Sequence, residues 1–233
     1  MTIAHIKTKD LGLGPPLPHL PDLSVSIPIQ ERIKRVQEFI EAFEYNYTGR
    51  PFVPMKKSRG MAHICSVSKQ LMQVALPIQC VEAVFLGVYL TAGMEQLERV
   101  PLSFKTKFLG GTVHQHIVLA LNHRGSWGAV GISRRSGLMN KDMRFSSLSS
   151  LVEEYRRSYE ACFHKLLTVY IGLPFSHNLL TDDAIKWRAA KVRVFNQERQ
   201  HVAAIIDRFE RSMLAMRQHF LETGSLPTTP LDG

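Results

Sequence analysis

Leu76-Pro77-Ile78-Gln79-Cys80-Val81-Glu82-Ala83-Val84-Phe85-Leu86-Gly87 is the stretch on which the reading of the fold turns. Pro77 suits the first turn of a helix, and the apolar run behind it continues that helix to about Leu90. The run is apolar on nearly every side, so the helix is expected to be buried. Its start then lies at the edge of a core, where a cleft can form. A cysteine there points its sulfur at the positive end of the helix dipole. That favours the thiolate, the nucleophile of cysteine chemistry. The competing reading is a buried structural cysteine, since free cysteine is among the most buried residue types.

Upstream, two more helices are expected. Residues 61–74 carry Ile64, Val67, Ser68 and Leu71 on one stripe, and residues 29–43 carry Ile33, Val36, Ile40 and Phe43. The second stripe is either core or a partner surface. Residues 1–28 are rich in proline and glycine and read as an extended arm. Downstream the period changes from helical to alternating. Residues 116–122 and 127–133 read as two strands joined through His123-Arg124-Gly125-Ser126. A hairpin turning on Arg124-Gly125 puts residue i opposite residue 249 − i, so His116 faces Ser133. Directly opposed residues have Cβ atoms roughly 4.5–5.5 Å apart, so the Ser133 hydroxyl could orient the His116 imidazole. His114 shares the face of His116. Residues 149–166 read as a helix and 167–171 as a short strand. Residues 182–220 read as a long charged helical region with Ile205, Phe209, Met213 and Met216 as its apolar stripe, followed by a loose tail.

Composition sets the limits. The chain has 233 residues, enough for one sizeable core or two small domains. Its three cysteines, Cys65, Cys80 and Cys162, have no regular spacing, which argues against a disulfide framework and for a reducing, cytoplasmic compartment. No CxxC or paired histidine suggests zinc, and neither a metal nor another cofactor is expected. No signal core and no membrane-spanning run is visible. The net charge of +9 implies an acidic partner. Nothing resembles a recognition helix, a zinc finger or a ribonucleoprotein motif, so nucleic acid is not the expected partner.

Six segments come in order with compatible gaps. They are Tyr45-Asn46-Tyr47-Thr48-Gly49, Lys56-Lys57-Ser58-Arg59, Ala75 to Val84, Ser103-Phe104-Lys105-Thr106, His116-Ile117-Val118-Leu119 and Gly131-Ile132-Ser133-Arg134-Arg135. Together they resemble the vasohibins, over roughly residues 29–187. The resemblance implies an α+β fold of the transglutaminase-like, papain-like cysteine peptidase kind. It would have a helical N-terminal part and a small antiparallel sheet flanked by helices. It implies a catalytic core over 29–187, helical to 100 and sheet-containing from 101, with 188–233 a C-terminal helix and tail. The implied activity is a cysteine carboxypeptidase that removes the C-terminal tyrosine from the acidic tail of α-tubulin on microtubules.

Carried over by position, Cys80 is the nucleophile and His116 the general base. The third member is Ser133 or, in another reading of the family, the backbone carbonyl of Leu138. His116 is preferred to His114 because it matches the motif and the hairpin register. Arg134 matches a residue that binds the substrate α-carboxylate, and arginine can grip a carboxylate bidentately. Tyr45, Lys57 and Lys105 match substrate-binding positions. Strand alternation puts Arg134 on the face opposite Ser133, so a bulge or strand end is needed there. Gln79 and Gln115 stand where animal members carry lysine and arginine, which marks a divergent member with altered tail recognition. Animal members work with a small helical partner, so the resemblance raises the same partner here. The alternative reading is a non-catalytic microtubule- or polyanion-binding module of the same fold.

Overall fold

The computed structural model describes residues 18–223. Three helices come first, α1 (Ile29–Glu41), α2 (Met61–Val74) and α3 (Cys80–Leu90). The sheet strands follow as β1 (Glu98–Phe108), β2 (Val113–His123), β3 (Ser126–Val130) and β4 (Lys141–Phe145). After these come α4 (Leu148–Ala161), β5 (His164–Ile171), β6 (Ala190–Arg193) and α5 (Arg199–Thr223). The six strands form one antiparallel sheet in the order β4-β3-β2-β1-β5-β6. The mixed α and antiparallel β architecture agrees with expectation. Among the described residues, no helix is long and apolar enough to cross a membrane.

Period-two alternation sorts the sheet into two faces. Ile117, Leu119 and Leu121 of β2 join the cluster built from α1, α2 and α3. Val118 and Ala120 point the other way, with Leu102 and Phe104 of β1, into the cluster under α4 and α5. Helix α3 is the most deeply set element, with Ala83, Val84, Phe85, Leu86 and Val88 fully buried.

Three expectations need correction. First, α3 begins at Cys80 with Gln79 as its N-cap, so Pro77 lies outside the helix. Ile78 is instead tied to the chain at Tyr45: its amide bonds Glu44 O at 3.1 Å, and its carbonyl accepts the Asn46 amide at 2.8 Å. Second, the 182–220 region is not one helix. Lys191-Val192-Arg193-Val194 alternates charged and apolar residues, and it pairs with β5 as β6. The helix proper starts only at Arg199. Third, β1 and the start of β5 at His164 extend the sheet beyond the segments read as strands, and the six-stranded sheet is not small. Of the expected arm and tail, residues 1–17 and 224–233 lie outside the described residues.

The hairpin is as expected. Arg124 and Gly125 both take left-handed φ, 52° and 80°, the backbone of a two-residue turn whose twist matches the strands. Every β2–β3 pair, from His123↔Ser126 to Leu119↔Val130, sums to 249. The ladder stops at Val130.

Candidate active site

The end of that ladder creates the site. In a hairpin with a two-residue turn, hydrogen-bonded pairs recur every second residue from the closing pair. His123↔Ser126, Leu121↔Gly128 and Leu119↔Val130 fill that series, and Ile117↔Ile132 would come next. The chain leaves before it gets there. The Ile117 amide is therefore free on the β2 edge, and it hydrogen-bonds the Cys80 sulfur. Gln37 of α1 holds the exit: its amide accepts the Gly131 N–H at 2.9 Å and donates to the Gly131 carbonyl at 3.0 Å. Gln37 is buried, and neither contact could be read from local sequence.

The sulfur meets the first amides of α3, those of Cys80 and Val81, together with the Ile117 amide and the Lys57 ammonium. All four favour the thiolate, as the helix-start reading expects. Burial outweighs them, and the Cys80 thiol is pushed above its ordinary value. The resting group is the neutral thiol, not the thiolate. Glu82 caps the same turn, its Oε2 accepting the Gln79 amide at 2.6 Å.

His116 sits one residue from the amide that touches the sulfur. Its Nε2 is 2.9 Å from the Leu138 carbonyl. A carbonyl only accepts, so Nε2 carries the proton and Nδ1 is left as the base. Burial holds the imidazole down at about 4, against the Leu138 bond. Ser133 does not make the expected contact. It lies beyond the end of β3, and its hydroxyl accepts the Arg135 amide at 3.4 Å. The 249 − i register runs only as far as Leu119↔Val130, so it does not bring Ser133 opposite His116. The carbonyl of Leu138, named in the other reading, is the group that His116 Nε2 meets.

The strand end that Arg134 required is present. The Arg134 guanidinium stands 5.4 Å from the Tyr45 ring and 5.7 Å from the Tyr47 ring, which themselves pack edge to face. Tyr45 is bridged to Ile78, two residues before Cys80, so Arg134 and Tyr45 flank the approach to the sulfur. Lys57 is also close enough to the sulfur for each to act on the other's charge. Its ammonium is 5.0 Å above the Trp187 ring, and Trp187 Nε1 donates to the Lys57 carbonyl at 2.8 Å. Burial and Arg188 lower the Lys57 pKa, while Cys80 draws it upward. Lys105 is the cross-strand neighbour of Gln115, on the face of β2 that carries Ile117. Arg188 reaches the Gln115 side chain at 3.4 Å and stacks 4.3 Å over Tyr170. Tyr47, Trp187 and Arg188 join the neighbourhood without having been singled out from sequence. Only Tyr47 and Trp187 carried a visible signal, as aromatics beside matched or charged positions.

Two comparisons bear on this site. A family model described as Vasohibin matches residues 2–214. The chain is also 40% identical over 198 residues to the mouse (Mus musculus) protein Tubulinyl-Tyr carboxypeptidase 1, covering 85% of this chain and 52% of that protein. The chain thus spans about half the length of the curated relative it matches.

Proposed function

The chain belongs to the vasohibin family, and from that premise we propose that it is a cysteine carboxypeptidase that releases the C-terminal tyrosine of α-tubulin. The observation that carries the reading is the sulfur of Cys80 at the free Ile117 amide, next to a histidine whose Nε2 is held by a carbonyl. In this reading the fold is a transglutaminase-like variant. Cys80 is the nucleophile, His116 the acid–base group and the Leu138 carbonyl its orienting partner. Ser133 stays a neighbour on the exit loop.

The chemistry follows from the resting charges. Both groups start neutral, so no ion pair waits in the empty site. Substrate binding brings the tyrosine α-carboxylate to Arg134, with Tyr45 and Lys57 lining the pocket. His116 Nδ1 takes the Cys80 proton as sulfur attacks the carbonyl of the penultimate residue. The tetrahedral oxyanion is held by the amides at the start of α3. The imidazolium then protonates the leaving tyrosine nitrogen, giving a thioester. Neutral again, His116 deprotonates the water that hydrolyses it. A low histidine pKa weakens the base but makes the imidazolium a strong acid toward the departing amine.

Lys105 faces the acidic residues upstream of the cleaved bond. The candidate seat for a small helical partner is the groove of about 570 Å³ between α1 and the β3–β4 edge.

The test is mass spectrometry of α-tubulin tails after incubation with the wild-type and Cys80→Ala proteins. Tyrosine loss with the first and none with the second is expected. Equal loss with both would falsify the assignment of Cys80. The raised Cys80 thiol is the observation that favours the second reading, a module that binds polyanions without turnover. A thiol-reactive probe separates the two. In an enzyme the histidine assists the thiol, so His116→Gln slows labelling, whereas a module labels slowly with or without the histidine.

A further inference from the structure

One histidine outside the site braces a backbone that serves it. Lys56-Lys57-Ser58-Arg59 forms the turn that leads into α2. Lys56, Lys57 and Arg59 stand close together, and none of them is in an ion pair among the described residues. Like charges so near one another repel. Yet the Lys57 ammonium stands 5.0 Å over the Trp187 ring and favours charge on Cys80. The backbone that carries it is fixed at both ends. At one end Trp187 Nε1, from the segment between β5 and β6, donates to the Lys57 carbonyl at 2.8 Å. At the other the Lys56 amide donates to Nε2 of His63, on the first turn of α2, at 3.1 Å.

A backbone amide only donates, so Nε2 is the bare nitrogen and the imidazole is neutral. Burial, Arg59 and Lys56 all oppose its protonation. A neutral acceptor suits this place. A carboxylate would pair with Arg59 or Lys57 and draw it away, and an ammonium could not accept. Both anchors rest on one fully buried ring: Phe85 meets His63 edge-on at 6.4 Å and stacks on Trp187 at 5.8 Å. We propose that His63 is a positioning residue for Lys57: by holding the Lys56 amide it keeps the ammonium over Trp187 and close to the Cys80 sulfur. For the thiol this rests on the contacts alone; for substrate it rests on the carboxypeptidase reading. The competing role is plain packing of α2 against Phe85, which involves no lysine.

The experiment follows iodoacetamide alkylation of Cys80 in the full chain across the titration range of the thiol. Mass spectrometry of the Cys80 peptide keeps Cys65 and Cys162 apart. Lys57→Met should move the profile to higher pH, because the ammonium that favours the thiolate is gone. His63→Leu should move it the same way, slowing alkylation near neutral pH about threefold, a displacement of about half a pH unit. His63→Asn, polar but too short to reach the Lys56 amide, should match the leucine. His63→Gln, whose amide oxygen can replace Nε2 as acceptor, should stay near the wild type. In the Lys57→Met background the leucine should add nothing. An equal displacement in both backgrounds overturns the proposal in favour of packing. No displacement in Leu and Asn, or none in Lys57→Met, overturns it as well, and so does a glutamine that behaves as the leucine. Tyrosine release from a peptide ending in Glu-Glu-Tyr is measured alongside, and KM should rise about fivefold in His63→Leu and recover in His63→Gln. Absent release by the wild type with the alkylation pattern intact would sink the carboxypeptidase reading and leave the role of His63 standing.

Discussion

A thiol at a helix start is pulled two ways, and at Cys80 burial wins over three amides and a lysine. The direction could not be read from sequence, which shows the helix start but not how deep it lies. His116 is displaced in the complementary sense, its imidazole held neutral down to about 4. The unfolded chain, with histidine near its usual 6.5, binds that proton first. Stability is therefore full above about pH 6.5 and declines as pH falls toward 4, by on the order of 3 kcal/mol in all. Burial lowers His63, His123, His164 and His177 in the same direction, so urea titrations across this window should show a decline in both proteins that is smaller in His116→Gln. Ser133→Ala should leave the decline where it is, because the imidazole donates its hydrogen bond to the Leu138 carbonyl and not to Ser133. A decline displaced in Ser133→Ala would return that serine to the orienting role.

Elements were legible where a single period ran unbroken. The stripes of α1 and α2 and the β2–β3 hairpin, down to its pairing, followed from residue spacing alone. Strand β1 did not, because Pro101 interrupts Glu98–Phe108 and proline argues against a central strand. It is tolerated because the β5 ladder ends one residue away, at Leu102↔Ile171. What ends β3 was invisible for a different reason. Gln37 and Gly131 are 94 residues apart, and no local pattern links them. Gln37→Ala leaves a buried N–H and C=O unpaired, so it should cost about 1–3 kcal/mol in chemical denaturation. The freed exit can then settle back on β2 and compete for the Ile117 amide. Cys80 labelling should shift to higher pH in this variant, and not in a control of equal instability such as Val202→Ala in α5.

At the scale of the whole molecule, the helical layer and the sheet are fastened by a cation with no carboxylate partner among the described residues. Arg99 of β1 is fully buried, and burial lowers its pKa to about 10. It donates to Val88 O at 2.9 Å, Phe175 O at 3.1 Å and Ser176 O at 2.7 Å. It thus joins the end of α3 to the strap after β5. Arg99→Ala should cost about 3 kcal/mol or more, read as a lower urea midpoint. The strap matters because it delivers Trp187 to the site. The chain has two tryptophans. Trp127 is fully buried and bonded to Glu210 on the far side of the sheet, while Trp187 lies under the Lys57 ammonium. One indole is thus insulated and the other stands at the mouth of the cleft, under a charge that an incoming anion would draw away. The protein carries its own optical gauge of occupancy. Intrinsic emission should change as an acidic peptide is titrated in, and Trp187→Phe should silence the change while the Trp127 signal persists.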